Sequence, residues 1–235
     1  MMIKAKKAKY IYPLKYLEDG FQKIPIATRE LVNASNVLLA QKAYAPALSL
    51  SIIALEECGK IFILDSLLFL RNKENNYFKK SSISHKDKLA ALQFLIPLLL
   101  FISKYDKKYK DAKTKKRFKK AIHIGLDNLN RQYVELREKM VESDILLLDI
   151  LKQRGFYTDF YDNQFRIPSE GIEPEITSLT NKLANSYINN IEFIMQNESI
   201  RGYLSFAKKV RGSMSIEDWS KISNLLDIQN EQSIH

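Results

Sequence analysis

The spacing of apolar residues predicts helices through the first half of the chain. Leu31, Ala34 and Leu38 recur three or four residues apart and define one face of a helix. The segment that follows is apolar on nearly every side, which is typical of a buried helix, and Ser84 is a suitable N-cap for a third helix. We expect these helices at about residues 27–42, 45–71 and 85–103.

Helical patterns continue in the second half of the chain after a basic segment. A fourth helical region is predicted over about 113–154, with Gly155 as the residue that ends it. Residues 155–173 are rich in aromatic side chains and are predicted to form a long connection. A fifth helix is expected over about 174–196, and a capping-box pattern at Ser215 begins a last one.

The composition supports an all-α fold. The chain has 235 residues, of which 46% are hydrophobic and 27% charged, and its seven Gly and six Pro are few for a β-sandwich or barrel. Short connections favour antiparallel neighbours among the first three helices, so we predict an antiparallel helical bundle with a C-terminal helical extension. The expected organisation is a basic N-terminal arm, a helical domain and an extension packed on it, at residues 1–20, 21–173 and 174–235.

Several classes of protein and of site are excluded by what the sequence lacks. Cys58 is its one cysteine, which excludes an intrachain disulfide and a cysteine-only metal site. The longest run without a charged residue, 89–103, is shorter than the roughly 20 residues that cross a bilayer. The chain has no Glu-x-x-His pair, glycine-rich phosphate loop or Cys-x-x-Cys pair. We therefore expect a cytoplasmic protein with no metal, no cofactor and no membrane partner.

Two short segments carry all of the excess positive charge in a chain of net charge +10. The first nine residues hold four Lys and no acid, and residues 104–120 hold ten Lys or Arg against two Asp. Such runs attract the phosphates of nucleic acids, and they also occur as solvated loops without a partner. The candidate RNA-binding residues are Lys107, Lys108, Lys110, Lys115, Lys116, Arg117, Lys119 and Lys120.

The second helix contains the first group of candidate functional residues. Glu56 and Glu57 are adjacent in a nearly apolar helix, so they cannot both reach solvent. Lys60 follows them at i+4 and i+3 and can neutralise one of them, but a buried carboxylate needs a further partner. Gly59 predicts that a neighbouring helix or a ligand approaches the backbone closely. A buried ion pair that only fixes helix register explains the same residues.

His85 and Lys88 form a second group, on one face of the first turn of the third helix. Glu56 lies about four turns before the end of the second helix, and His85 is at the start of the third. If these two helices pair antiparallel, the two residues are far apart. Contact between Glu56 and His85 then requires that the connecting loop folds back, that the third helix docks nearer the middle of the second, or that the two residues come from different copies in a dimer. Arg117 and His123 show an Arg-x5-His spacing, which also fits two surface residues beside a basic run.

Three short motifs follow one another between residues 54 and 159. Residues 54–60 read ALEECGK, residues 84–88 read SHKDK and residues 151–159 read LKQRGFYTD. They resemble, in this order, the A-L-E-E-x-G-K, H-K-x-K and L-K-x-x-G-L-Y-x-D segments of the AbiV abortive-infection proteins, a branch of the HEPN superfamily. Cys58 departs from the usual Leu, and the motif residues carried over by position are Glu56, Glu57, Lys60, His85, Lys88, Tyr157 and Asp159.

The resemblance implies a helical bundle that forms a homodimer and takes part in phage defence. Many HEPN proteins are metal-independent ribonucleases whose Arg-x4-6-His pair assists attack of the ribose 2′-hydroxyl on the adjacent phosphate, and here the candidate pair is Arg117 and His123. AbiV-like proteins stop translation in infected cells in response to a phage protein. The expected partners are therefore RNA, a phage-encoded activator and a second copy of the chain.

The hypothesis that combines these observations is an antiphage endoribonuclease. His85 would act as general acid or base, Lys60 and Lys88 would stabilise charge on the phosphorane, and Glu56 or Glu57 would orient the histidine or a lysine. The alternative is a non-catalytic module that binds ribosomal or messenger RNA and blocks translation by occlusion. A third hypothesis is a partner protein that uses the aromatic loop 156–165 as its contact.

Overall fold

Helices make up almost all of the described structure. The computed structural model describes residues 14–69, 85–103, 147–161, 164–196 and 198–213. Strands β1 (Asp159–Tyr161) and β2 (Gln164–Arg166) pair antiparallel as a short hairpin. The predicted all-α fold is confirmed, and its helices are α1 (Leu14–Ala40), α2 (Tyr44–Phe69), α3 (His85–Ser103), α4 (Leu147–Phe156), α5 (Pro174–Met195) and α6 (Glu198–Ser213).

Helix α2 lies at the centre of the bundle because it is apolar on nearly every face. It contacts α1, α3, α4, α5 and α6. Each aliphatic side chain that it buries contributes about 1.5–3 kcal/mol to folding. The largest fully buried side chains of α2 are Leu48, Ile52, Leu55, Ile61 and Leu68.

Helices α1 and α2 pack antiparallel, as their short connection predicts. Gly20 near the start of α1 lies against Leu64 near the end of α2. At the other end, the Ser35 hydroxyl donates a hydrogen bond to the Ala47 carbonyl at 2.8 Å. The side chain of Asn181 in α5 donates to the Ser35 oxygen at 3.0 Å, so one buried hydroxyl joins three helices.

Helix α3 runs in the same direction as α2 rather than antiparallel to it. Gly59 of α2 lies against the Lys88 backbone of α3. Further along the two helices, Asp65 and Phe101 both contact Tyr203 of α6. The antiparallel pairing predicted from connection length is therefore wrong for this pair, because α3 begins beside the middle of α2 and not beside its end.

The first helix begins earlier than its sequence pattern predicted. It starts at Leu14, so residues 14–20 of the arm predicted over residues 1–20 are part of this helix, and residues 1–13 lie outside the described part of the chain. The extra turns form because Leu17 and Phe21 are buried in the core. Packing of these two side chains outweighs the low helix propensity of Gly20.

Gly155 lies inside α4, although it was predicted to follow a helix and end it. A Cβ atom at this position would lie 2.1 Å from the Ser49 hydroxyl oxygen and 2.6 Å from the Ala45 carbonyl oxygen of α2. The residue is therefore a site of close helix packing and not a helix terminator.

Two further predictions concern the C-terminal half. The fifth helix is confirmed at Pro174–Met195, but α6 was not predicted, although Ile200, Tyr203 and Ala207 form a buried apolar face on it. Three further expectations lie outside the described residues: the helix from Ser215, the basic run 104–120, and the pair Arg117 and His123.

In the described ranges, no helix combines the length and the apolar character that crossing a membrane requires.

Replacement of Gly59 by Ala tests the close contact between α2 and α3. The new Cβ would meet the Lys88 carbonyl oxygen at 1.9 Å, and backbone cannot move aside as a side chain can. We expect Gly59→Ala to lower the free energy of unfolding by about 1–3 kcal/mol in urea titrations. Gly20→Ala is the matched control, because its Cβ meets only the flexible end of Leu64 and Ala favours the helix. Equal effects of the two substitutions would contradict this packing.

Asp65 predicts a pH dependence of stability. Burial raises the pKa of Asp65 from its ordinary 3.8 to about 7, and the Tyr203 hydroxyl donates a hydrogen bond to its carboxyl group. Because the folded protein holds this proton more tightly than the unfolded chain, the stability contributed by Asp65 is lost as the pH rises from about 4 to 7.

Asp65→Asn should remove this dependence while it keeps an oxygen that accepts from Tyr203. Urea unfolding between pH 4 and pH 8 should therefore show that the variant gains stability relative to the original chain as the pH rises. Parallel curves for the two proteins would mean that Asp65 does not titrate in this interval.

Candidate functional site

The centre of the candidate site is the carboxylate of Glu56. Its side chain is 2% exposed, in the middle of the helix that every other described helix contacts. One oxygen, Oε2, lies 2.5 Å from Nδ1 of His85, and the other, Oε1, accepts a hydrogen bond from Nζ of Lys152 at 2.6 Å. Three helices, α2, α3 and α4, thus bring their polar side chains to one carboxylate.

His85 is the solvent-facing member of this group. Its side chain is 55% exposed, whereas its Glu56 partner is buried. Because a carboxylate accepts hydrogen bonds, the hydrogen between the two residues belongs to Nδ1 of the imidazole. Nε2 lies on the opposite edge of the ring, which is held from its buried side by Glu56. Contact within one protomer answers the geometric question raised by the sequence, because α3 docks beside Glu56.

Lys152 brings a positive charge from α4 into the buried side of the site. Its ammonium group contacts Glu56 and also donates to Oδ1 of Asp149, one turn earlier in α4, at 2.7 Å. The backbone carbonyl of Lys152 accepts a hydrogen bond at 2.8 Å from the hydroxyl of Ser49 in α2. Both the main chain and the side chain of Lys152 therefore fasten α4 to α2.

Glu57 and Lys60 form a separate pair on α2. Nζ of Lys60 lies 2.5 Å and 2.7 Å from the two carboxylate oxygens of Glu57. Of the two spacings that the sequence allowed, i+3 is therefore the one used. This pair is more exposed than Glu56, so its contribution to stability is small.

Lys88 lies on the buried side of α3, one turn after His85. Its side chain is largely buried, and burial together with repulsion from Lys60 lowers its pKa. Attraction by Glu56 and Glu57 acts in the opposite direction. Lys88 therefore contributes positive potential to the cluster from within the protein.

The same side chains include donor atoms of the kinds that bind metal ions. One donor atom from each of Glu56, His85 and Asp149 lies within 4.8 Å of the other two. However, the ammonium group of Lys152 contacts both of these carboxylates. Lys152 therefore supplies the positive charge that a divalent ion would bring, and we interpret the cluster as an ionic network closed by lysine.

The structure brings together most of the predicted catalytic residues and adds two that the sequence did not single out. Glu56 meets His85, but Asp149 and Lys152 were missed. The available signal was the i,i+3 spacing of Asp149 and Lys152, the second of which is the lysine of the L-K-x-x-G motif. Tyr157 is exposed just after α4. The eight predicted RNA-binding residues lie in the basic run, outside the described residues.

One known protein family matches this chain. The family model HEPN_AbiV, described as AbiV, matches residues 17–189, a range that contains every residue of the cluster. No curated protein and no solved structure matches the chain. Because the family model covers most of the sequence, from α1 into α5, the chain belongs to the HEPN_AbiV family.

Proposed function

We propose that this protein is an abortive-infection effector that cleaves RNA without a metal ion and thereby stops translation in infected cells. The observation that carries the proposal is the hydrogen bond between a buried carboxylate, Glu56, and a half-exposed imidazole, His85. A general base needs a fixed orientation and an accessible lone pair, and this pair provides both.

The proposed reaction begins at Nε2 of His85. This nitrogen takes the proton from a ribose 2′-hydroxyl, and the 2′-oxygen forms a bond to the adjacent phosphorus. The bond from phosphorus to the 5′-oxygen then breaks, and the leaving oxygen takes a proton from water. The products are a 2′,3′-cyclic phosphate and a 5′-hydroxyl, and His85 returns its proton to solvent.

Positive charge beside the base favours this reaction, because the phosphorane carries more negative charge than the bound RNA. Lys60 is partly exposed and can approach a phosphate, whereas Lys88 acts through its potential from the buried side. Glu57 holds Lys60, and Glu56 orients His85, so the adjacent glutamates have different roles.

The proposal includes the partners that the sequence leads us to expect. The basic run 104–120 would hold RNA by its phosphates. A phage-encoded protein would activate the enzyme, and a homodimer would be its working form. The alternative function is a non-catalytic module that binds ribosomal or messenger RNA and blocks translation by occlusion. It is supported by the ion pairs of the cluster, which are also suited to a structural role.

Cleavage of labelled RNA by the purified protein tests the proposal directly. In buffer with EDTA, and with or without a phage lysate, we expect products that end in a 2′,3′-cyclic phosphate. His85→Gln should reduce the rate by about 10²–10⁴-fold, the usual contribution of a general base. The Gln amide can still donate to Glu56 and the side chain at this position is half-exposed, so this substitution should leave thermal unfolding nearly unchanged.

The matched variants are His123→Gln and Lys182→Met. The first asks whether the pair Arg117 and His123 carries the chemistry, and the second alters an exposed residue of α5 and should have no effect. Loss of cleavage in His123→Gln together with full activity in His85→Gln would show that the active site does not include Glu56 and His85. Intact RNA that nevertheless binds in a salt-dependent manner would favour the alternative module.

RNA affinity should depend on the basic run. In the His85→Gln background, replacement of Lys107, Lys108 and Lys110 by Gln should weaken binding of single-stranded RNA in fluorescence anisotropy. The slope of log K against log salt should decrease in magnitude by about 2, because each lysine that contacts a phosphate contributes about 0.7. The control replaces three exposed lysines elsewhere, Lys15, Lys182 and Lys208. Equal slopes for both triple variants would exclude the run from the RNA site.

A further inference from the structure

The ionic groups around His85 balance one another. The described side chains of the cluster comprise three carboxylates and three ammonium groups, contributed by α2, α3 and α4. Electrostatic interactions with Lys88 extend to residues of both other helices, so these groups form one network. With a neutral His85 the network has no net charge. Its members besides His85 are Glu56, Glu57, Asp149, Lys60, Lys88 and Lys152.

Among the lysines, Lys152 has the most direct link to His85. Its ammonium group and the imidazole bind the two oxygens of the same buried carboxylate, at 2.6 Å and 2.5 Å. Lys60 is bound to Glu57 instead. A change at Lys152 therefore reaches His85 through the single residue Glu56.

We infer that Lys152 is the positioning residue that keeps Nε2 of His85 free of hydrogen at neutral pH, and that the negative charge of Asp149 balances the positive charge of Lys152. The inference rests on the proposed function, in which Nε2 acts as the base. Lys152 does not touch RNA in this scheme. It acts by satisfying the charge of Glu56, so that Glu56 needs only a neutral N–H from the imidazole.

The consequence of removing Lys152 follows from the burial of Glu56. Without the ammonium group, the network has one negative charge too many, and a buried unpaired carboxylate is costly. A proton is then taken up. Asp149 also loses its partner, but it is 13% exposed against 2% for Glu56, so the proton goes to one of two groups at the more buried charge. If His85 takes it, both ring nitrogens carry hydrogen. If Glu56 takes it, the carboxyl group donates to Nδ1 and the ring hydrogen moves to Nε2. In both cases Nε2 has lost its lone pair.

Asp149 sets the charge that Lys152 leaves for the rest of the network, because it binds the same ammonium group. Removal of Asp149 alone would make the network more positive, which favours the neutral ring. The combined removal of Asp149 and Lys152 restores the balance of charge.

Long-range ¹H–¹⁵N correlation spectra of the imidazole rings test this inference without relying on RNA cleavage. A nitrogen with a lone pair and a nitrogen with hydrogen have well-separated ¹⁵N chemical shifts. The chain has three His, and the resonances of His85 are identified by their loss in His85→Gln. At pH 7 we expect hydrogen on Nδ1 and a lone pair on Nε2 in the original protein.

Lys152→Met should shift the Nε2 resonance to that of a nitrogen with hydrogen. Asp149→Asn combined with Lys152→Met should return it to the original position, and Lys152→Arg should leave it there. If Lys152 had only a structural role, the double variant would differ more from the original protein than Lys152→Met does, because the double variant loses more hydrogen bonds. If Lys152→Met does not fold, Lys152→Gln keeps a donor for Glu56 without the charge and should show the same shift.

Three outcomes would overturn the inference: an Nε2 that carries hydrogen in the original protein, no shift in Lys152→Met, or no recovery in the double variant. RNA cleavage gives the second readout, with a loss of about 100-fold or more in Lys152→Met and recovery in the double variant. If the original protein does not cleave RNA, the proposed function fails, and the spectra still decide the role of Lys152.

Discussion

Burial of the Glu56 carboxylate is the constraint on which the rest of this structure depends. Helix α2 is apolar on nearly every face, so a charge in its middle cannot reach water. An isolated buried carboxylate costs an amount comparable to the whole stability of a domain, about 5–15 kcal/mol. Lys60 is engaged by Glu57, so the donors for Glu56 come from other helices. The bundle therefore closes around this residue, with His85 from α3 and Lys152 from α4.

Two glycines allow the helices to come close enough for these contacts. Gly59 lies three residues after Glu56 in α2, and Gly155 lies three residues after Lys152 in α4, so each glycine shares a helix face with its charged residue. At both positions a Cβ would collide with atoms of the neighbouring helix. Each glycine costs about 1 kcal/mol of helix propensity relative to Ala. The cost is offset because hydrogen bonds of 2.5–2.6 Å to a buried charge require this short separation.

The sequence predicts those parts of the site that are local in the chain. The i+3 spacing of Glu57 and Lys60, the start of α3 at His85 and the close approach at Gly59 all follow from neighbours within one or two turns. The direction of α3 cannot be predicted in this way, because the length of the connecting segment does not determine where α3 packs along α2. Lys152 was missed for a related reason. Its partner is 96 residues away in the sequence, and without coordinates a lysine near the end of a predicted helix resembles any exposed lysine. Helix α6 could have been predicted, because Ile200, Tyr203 and Ala207 recur three or four residues apart on one buried face.

A structural role and a chemical role for this cluster are compatible, because different atoms fulfil them. The structural requirement is met on the buried side, where Lys152 already neutralises Glu56 in the manner of an ordinary buried ion pair. A second partner that served only the fold would be best placed fully inside, since exposure to water weakens an ionic interaction. His85 instead keeps more than half of its side chain in solvent while its inner nitrogen is fixed. That asymmetry adds little to stability, but it gives an imidazole one oriented edge and one accessible edge, the combination that proton transfer to or from a bound molecule requires.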